Sequence, residues 1–156
     1  MIIIGADHAG FELKNVITEY FKEKNIVYTD VTDYDRNPDD DYTDVAIQVC
    51  RYVLEKEGNF GIAICGTGIG ISVACNKVKG IIATPCFDEY TARMAKIDNN
   101  SNVLCLGGRL EYSKNRERVI NIVDTYINTP FGGERHLRRV NKIKDMENKF
   151  GEKLWE

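Results

Sequence analysis

Short apolar segments alternate with longer amphipathic segments along the first two-thirds of the chain. The apolar segments are rich in β-branched residues and too short for buried helices, so they predict strands. Between them, apolar residues recur at spacings of three and four, which predicts helices. The predicted strands are MIIIGA, NIVYTDV, FGIAIC, GIIATPC and NVLCLGG, at residues 1–6, 25–31, 60–65, 80–86 and 102–108. The predicted helices between them lie at residues 10–25, 41–58, 70–80 and 88–100.

This alternation predicts an α/β fold with a parallel sheet and helices on both faces. Ligands of such sheets bind beyond the carboxyl ends of the strands, so functional residues are expected in ADHAG, CGTGIG, CFDEY and GGRL. Two more helices are predicted at residues 114–131 and 132–150. The last of these is strongly basic and has no strand after it, so it could cover a neighbouring subunit. We expect one domain over residues 1–150 and a short tail at 151–156.

Composition excludes several classes of protein. A chain of 156 residues is long enough for one domain with a real core. Its net charge of −3 gives no overall basic field for nucleic acid or an anionic membrane. No segment has the length of a membrane span or the pattern of a signal peptide, so we expect a cytoplasmic protein. The acidic segment DYDRNPDDD, residues 33–41, is predicted to be a solvated loop.

The cysteines give no indication of a metal site. There are five of them, with no CxxC pair, and the chain has only two histidines. Most stand in apolar segments, which predicts small buried hydrophobic residues in a reducing compartment. They are Cys50, Cys65, Cys75, Cys86 and Cys105.

A glycine-rich turn follows the third predicted strand. A dinucleotide-binding fingerprint would need glycine where Ile71 stands, and a P-loop would need a Gly-Lys-Ser/Thr step that does not follow. What remains is a group of backbone N–H donors at a helix start, suited to any anion. The alternative is a tight turn without a ligand. The glycines are Gly66, Gly68 and Gly70.

Cys65 ends the third predicted strand and faces this turn. A helix start favours the thiolate form of a cysteine. A thiolate beside an anion-stabilising turn suits removal of a proton next to a carbonyl group, with the turn holding the enediolate oxygen. The alternative is one more buried cysteine.

Two further groups carry candidate chemistry. Asp7 and His8 follow the first strand and could bind sugar hydroxyls or transfer protons, or they could be a helix cap and a surface histidine. Arg135 and Arg139 are four residues apart and share a helical face, and Arg109 after the fifth strand could join them. Guanidinium groups suit a phosphate dianion. The alternative for the arginines is a solvated basic face.

Four segments, in order, closely resemble the ribose-5-phosphate isomerase B family, which includes allose- and galactose-6-phosphate isomerases. They are DHAGFELK, ICGTGIGISVACNKVKGI, NVLCLGGR and RHLRRV. The resemblance implies a Rossmann-like three-layer α/β/α sandwich with a five-stranded parallel sheet and an extra C-terminal helix. It also implies an aldose–ketose isomerase without a metal or organic cofactor. As partners it implies a second copy, in a homodimer or dimer of dimers with active sites at the interface, and neither nucleic acid nor membrane.

The same resemblance assigns roles to residues. Cys65 matches the thiolate base that moves a proton between C1 and C2 through a cis-enediolate. Beside these matches, Thr67 could orient the substrate or relay a proton, or it could be a turn residue that caps the next helix. The enediolate oxygen would be held by the turn, Gly66, Thr67, Gly68, Ile69 and Gly70. Sugar or phosphate binding is implied for Asp7, His8, Tyr42, Asn99, Arg109, Arg135 and Arg139.

One position departs from the family pattern in a way that affects the chemistry. Asp98 stands where the family commonly has the histidine that opens the furanose ring. An ordinary aspartate carboxyl has a pKa of about 4 and is ionised at neutral pH. Three hypotheses follow: burial keeps Asp98 protonated, His8 or water opens the ring, or the enzyme favours open-chain substrates.

The implied activity is the interconversion of D-ribose 5-phosphate and D-ribulose 5-phosphate in the non-oxidative pentose phosphate pathway. One alternative is an allose- or galactose-6-phosphate isomerase, because the same arginines could hold a longer sugar. A second alternative is a catalytically silent subunit that binds a sugar phosphate.

Overall fold

A computed structural model describes residues 1–32 and 37–150, which form a five-stranded parallel sheet with helices on both faces. The strands are β1 (Ile2–Ala6), β2 (Tyr28–Asp30), β3 (Phe60–Cys65), β4 (Ala83–Pro85) and β5 (Val103–Gly107). The helices are α1 (Phe11–Glu23), α2 (Tyr42–Leu54), α3 (Ile69–Cys75), α4 (Glu89–Asn99), α5 (Arg116–Asn128) and α6 (Glu134–Phe150). The strand order is β2-β1-β3-β5-β4. This confirms the predicted three-layer sandwich with an extra C-terminal helix.

Two apolar cores lie on opposite faces of the sheet. Side chains alternate along each strand, so Ile2 and Ile4 pack on the face with α1, α4 and α5, while Ile3 packs on the face with α2 and α3. The inner strands β1 and β5 are buried along their whole length, as is β3 after its first residue. They match the continuous apolar segments that predicted them.

The two edge strands are shorter than predicted. Within segments 25–31 and 80–86, only β2 and β4 pair with a neighbouring strand, and each is three residues long. Each has a neighbour on one side only, so pairing ends where that neighbour diverges. A 3-10 turn at Glu111–Lys114 was not predicted, and only its last residue falls within the predicted helix at 114–131. Residues 33–36 of the predicted acidic loop and the predicted tail, 151–156, lie outside the described residues.

A buried ion pair fixes the end of β1. The side chain of Lys14 is 3% exposed, and its Nζ lies 2.7 Å from Asp30 Oδ2. The same Nζ donates to the carbonyl of Thr32 at 2.6 Å, and Thr32 Oγ1 accepts from the N–H of Ala6 at 3.0 Å. Because an ammonium group is buried stably only with such partners, this network holds the residues after β2 against the last residue of β1.

Helix α6 lies across the end of the sheet opposite Cys65. Its start is held by a hydrogen bond from Gly132 N to the carbonyl of Ile97 at 3.1 Å. Its last turns reach the segment before β4, where Glu147 Oε2 accepts from Gly80 N at 3.2 Å. Val140 is among its few buried residues, so α6 rests on the sheet layer through a narrow contact. No helix in residues 1–32 or 37–150 has the length and apolar character of a membrane span.

Candidate active site

The carboxyl edge of the sheet, where β1, β3 and β5 end, brings together the first group of candidate residues. The backbone carbonyl of Cys65 accepts from Gly108 N at 2.8 Å, which joins the ends of β3 and β5. The Sγ atom of Cys65 accepts from Gly68 N at 3.2 Å. A backbone N–H donor directed at sulfur stabilises a thiolate. The predicted meeting of thiol and glycine turn is therefore present.

The turn needs glycine at Gly68. This residue has φ +76°, and a Cβ there would lie 3.0 Å from the backbone of Leu106. Both features disfavour any side chain. Thr67 is exposed, and its Oγ1 accepts from the N–H of Ile69 at 3.3 Å. The N-cap of α3 is Gly68, without a side-chain cap, so Thr67 supports the start of the helix from one position before the cap.

Asp7 and His8 lie beside this turn, as expected for residues that follow β1. Asp7 N donates to the carbonyl of Ile64 at 3.1 Å, one residue before Cys65. The Asp7 side chain is buried and accepts from Ala9 N at 2.9 Å and Gly10 N at 3.0 Å. Burial raises the pKa of Asp7, and the Gly10 and Ala9 N–H donors partly oppose that rise. Asp7 thus holds the turn before α1, whose N-cap is Gly10 without a side-chain cap, and it lies next to the candidate base.

Asp40 holds His8 and corrects part of the sequence analysis. Its Oδ1 lies 2.8 Å from His8 Nδ1 and also accepts from His8 N at 2.9 Å. The Asp40 side chain is 12% exposed, so this residue of the predicted solvated loop is in fact a buried partner. The contact assigns the ring proton to Nδ1 and leaves Nε2 of a neutral His8 unprotonated. Because the two residues are 32 positions apart, no local pattern indicates the pair.

Arg109 and Tyr42 flank the glycine turn. A Cβ at Gly66 would lie 3.4 Å from Cδ and Nη1 of Arg109, so the Arg109 side chain packs over that glycine. A Cβ at Gly70 would lie 3.0 Å from the ring of Tyr42. Both predicted residues therefore lie at the carboxyl edge. Arg109 does not join the α6 arginines within one chain.

The other predicted residues lie at the amino edge of the sheet, where β3 and β5 begin. Helix α4 starts after the carboxyl end of β4 and finishes with Asp98 and Asn99, just before β5. Arg135 and Arg139 lie in α6, which crosses this edge. Strand β3 separates the two edges by about 16 Å, at about 3.3 Å per residue. One chain therefore does not bring these four residues to Cys65.

His136, which the sequence analysis did not single out, is a neighbour of Asp98. Its Nδ1 lies 3.4 Å from Asp98 Oδ1. The His136 side chain is 9% exposed and that of Asp98 is 45% exposed. The burial that one hypothesis requires for Asp98 is therefore incomplete in the single chain.

A cavity of about 550 Å³ also lies at the amino edge, lined in part by Phe60, Val140 and Lys96. Its size would suit a small ligand. However, Lys96 Nζ donates to the carbonyl of Ser101 at 3.0 Å and lies 5.1 Å from the ring centroid of Tyr126. Burial lowers the pKa of Lys96. Its ammonium group is already satisfied, so we place the chemistry at Cys65 rather than here.

The remaining four cysteines are buried free thiols, as predicted for most of them. Burial raises the pKa of Cys86 to about 12, which keeps that thiol protonated and unreactive. The pKa of Cys75 is also raised, first by its contact with Cys105. Among residues 1–32 and 37–150, no three His, Cys, Asp or Glu side chains lie close enough together to hold a metal ion.

Comparison with known proteins identifies the family. The family model described as Ribose/Galactose Isomerase matches residues 2–143. The chain belongs to this family. Membership confirms the predicted resemblance and the predicted enzyme class, an aldose–ketose isomerase.

Individual members of the family are similar over almost their whole length. A probable ribose-5-phosphate isomerase B of Mycoplasma pneumoniae is 37% identical over 142 residues, which are 91% of each chain. A D-erythrulose-4-phosphate isomerase of Pectobacterium atrosepticum is 37% identical over 91% of each chain. The crystal structure of ribose-5-phosphate isomerase B from Mycoplasma genitalium with bound ribulose-5-phosphate superposes with a TM-score of 0.87 and is 39% identical, covering 95% of this chain and 96% of that chain.

Proposed function

We propose that this protein interconverts D-ribose 5-phosphate and D-ribulose 5-phosphate, as a step of the non-oxidative pentose phosphate pathway, with Cys65 as the base. The observation that carries the proposal is the 3.2 Å contact from Gly68 N to Cys65 Sγ, which places the thiol at the glycine turn. The ribose-5-phosphate isomerases B among its relatives support the choice of sugar.

The reaction uses the groups of the carboxyl edge. The Cys65 thiolate removes the proton from C2 of the open-chain aldose and returns it to C1, while the hydroxyl proton of O2 passes to O1. N–H groups of the turn at residues 66–70 bind the enediolate oxygen, apart from that of Gly68, which is directed at Cys65 Sγ. Asp7 and His8 bind sugar hydroxyls on one side of the turn. Arg109 lies across Gly66, where it adds positive charge beside the developing anion.

A second copy of the chain completes the site in this proposal. The implied phosphate-binding arginines and Asp98 lie at the amino edge, so a partner must bring its amino edge to the carboxyl edge of the first copy. Helices α2 and α3 pack together and carry exposed apolar side chains next to the turn, which suits a protein partner. They include Tyr42, Ile47, Ile69 and Val73, which are 40%, 60%, 55% and 56% exposed.

A tetrose 4-phosphate is a second candidate substrate. A sugar phosphorylated on O4 cannot form a furanose ring through that oxygen, so it needs no ring-opening residue. Asp98 in place of the family histidine and the similarity to a D-erythrulose-4-phosphate isomerase favour this candidate. Hexose 6-phosphates are the alternative substrates with a longer sugar. A catalytically silent subunit that binds a sugar phosphate is the alternative function without catalysis.

Isomerase assays of the native protein and two variants test the proposal. We expect the native protein to convert both ribose 5-phosphate and ribulose 5-phosphate, and Cys65→Ala to lose at least about 1,000-fold in kcat because the base is removed. Cys86→Ala is the matched control, since it removes a buried thiol outside the site. Circular dichroism checks that all variants are folded.

The outcomes separate the candidates. Retained activity in Cys65→Ala would contradict the thiolate mechanism. Turnover of erythrose 4-phosphate alone would favour the tetrose reaction. Binding of ribose 5-phosphate without turnover of any sugar phosphate would favour a silent subunit.

A further inference from the structure

His136 is a buried imidazole that connects two exposed functional groups of the amino edge. It is 7% exposed, and its Nδ1 is the buried side-chain nitrogen without a hydrogen bond among residues 1–32 and 37–150. On one side this Nδ1 lies 3.4 Å from Asp98 Oδ1. On the other side the ring Nε2 accepts from Arg135 Nε at 3.2 Å. The three side chains therefore form one continuous contact.

The direction of the Arg135 contact fixes the state of the imidazole. A guanidinium Nε always donates, so Nε2 of His136 must be the acceptor and carries no proton. The ring proton of neutral His136 is then on Nδ1, which faces Asp98. The two atoms lie 3.4 Å apart without a hydrogen bond, so the imidazole is a polar neighbour that fixes where the carboxyl group can lie. The side chain of Asp98 is also 45% exposed, so water reaches its carboxyl group.

The imidazole is held in place by its surroundings. Gly132 N donates to the carbonyl of Ile97, one residue before Asp98. A Cβ at Gly132 would lie 2.8 Å from that carbonyl oxygen and 3.4 Å from Cδ2 of His136. The start of α6 therefore packs closely against the end of α4. The distance between His136 and Asp98 is set by this backbone contact.

We propose that Asp98 opens the sugar ring as an ionised carboxylate and that His136 is its positioning residue. The inference rests on the proposed function, in which the amino edge of one copy meets the substrate bound at the carboxyl edge of another. It replaces the expectation of a protonated Asp98 with a base. His136 also links that base to Arg135, so the group at the ring and a group implied in phosphate binding move as one unit.

A carboxylate can carry out the whole ring-opening step. One oxygen of Asp98 takes the proton of the anomeric hydroxyl, and the electrons of that O–H bond form the C1–O1 double bond. The C1–O4 bond breaks, and O4 takes the proton from the carboxyl group. Both sugar oxygens are attached to C1, so one carboxylate reaches both. Asp98 ends ionised as it began, and no other reactant is needed.

Two substitutions of His136 separate its two contacts. The amide nitrogen of His136→Asn can occupy the place of Nδ1 and donate to Asp98, but it has no acceptor for Arg135. His136→Gln reaches the place of Nε2 and can accept from Arg135, but it loses the donor to Asp98. Arg138→Ala, a charge removed from the same helix outside this contact, is the control.

We expect the effects to depend on substrate form. Ribulose 5-phosphate cannot form a furanose ring, so its turnover does not need Asp98. His136→Gln and Asp98→Asn should lower kcat for ribose 5-phosphate by about 10- to 100-fold and change kcat for ribulose 5-phosphate by less than about 3-fold. His136→Asn should keep more of the ribose activity and raise KM for both sugars. Arg138→Ala should leave both activities unchanged.

Nuclear magnetic resonance gives a readout that does not depend on turnover. With two histidines in the chain, the ring ¹⁵N signals are readily assigned. We expect neutral His136 to be protonated on Nδ1, and its Nδ1 signal to move in Asp98→Asn.

Equal losses with both sugars, an unchanged ribose activity in His136→Gln, or a proton on Nε2 would overturn the inference. If the native protein converts neither sugar, the proposed function fails and the inference fails with it.

Discussion

At the carboxyl edge the candidate base is fixed by the backbone, whereas at the amino edge Asp98 is contacted by a side chain. Cys65 receives one backbone N–H on its sulfur and another on its carbonyl. The Asp98 contact comes from His136, on a helix that reaches the sheet layer through a narrow surface. A backbone-held site tolerates few changes, because main-chain groups cannot move independently. A side-chain-held site can change its residues while the fold stays the same, which fits the departure at Asp98.

The largest expected effect comes from placing one substitution at each edge, with the two substitutions in different chains. In the proposed dimer, Cys65→Ala damages the carboxyl edge and Arg139→Ala damages the amino edge. We expect each variant alone to have at most about 1% of native kcat/KM. Co-expressed at equal levels, half of the dimers are mixed and each mixed dimer has one native site. The mixture should therefore regain about a quarter of native activity.

Two variants of the same edge provide the control for this test. Cys65→Ala and Asp7→Ala both damage the carboxyl edge, so no mixed dimer contains a native site and no activity should return. Recovery in this control, or none with the first pair, would contradict a site built from two copies.

A smaller effect is expected from alanine at two glycines that belong to the two edges. A Cβ at Gly108 would overlap the carbonyl oxygen of Ala9, a backbone atom that cannot move away alone. Gly133, beside α6, has φ +60° but no atom within 4 Å of an added Cβ. We expect Gly108→Ala to lower the free energy of unfolding by about 3 kcal/mol. Gly133→Ala should lower it by about 1–2 kcal/mol, through backbone strain alone.

Urea denaturation at one fixed protein concentration measures both changes, since association contributes to stability. Equal losses at the two positions would mean that the amino edge is packed as tightly as the carboxyl edge.

The same contrast explains how much of the molecule the sequence predicts. Some site residues make contacts only within a few residues or with an adjacent strand, so a local sequence motif is enough to predict them. These are Asp7, Cys65 and Gly68. The inner strands were predicted because burial on both faces makes them continuously apolar. Segments 25–31 and 80–86 form shorter strands than predicted. The length of an edge strand depends on how far the neighbouring strand runs beside it, and the hydrophobic pattern of the segment itself does not carry that information.

Long-range polar contacts are what the sequence analysis missed. Asp40 appeared to be one of several acidic residues in a solvated loop, yet it holds His8. His136 stands beside arginines for which a solvated basic face was considered, yet it is buried and contacts Asp98. In both cases a charged or polar residue finds its partner only through the tertiary fold. In the proposed dimer, contacts between the two subunits are a further set of long-range contacts that the fold of one chain does not contain.

The smallest expected effect concerns the cost of keeping Asp7 at the carboxyl edge. Burial raises the pKa of Asp7 above its ordinary value of 3.8 in the folded protein. Compared with the unfolded state, the folded state therefore favours the protonated form of this carboxyl group. That contribution to stability is fully present below about pH 3.8 and is lost as the pH rises through the raised value. Asp7→Asn removes this titration and can still accept from Ala9 N and Gly10 N.

We expect Asp7→Asn to be slightly more stable than the native protein at about pH 7 and the difference to shrink towards about pH 4. Isomerase activity should fall in the same variant. Urea denaturation at the two pH values, with the assay at neutral pH, checks both outcomes. A variant that is less stable by the same amount at both pH values would mean that the carboxylate supports the fold. A gain in stability with a loss of turnover would instead mean that Asp7 is kept ionised beside Cys65 for binding the sugar.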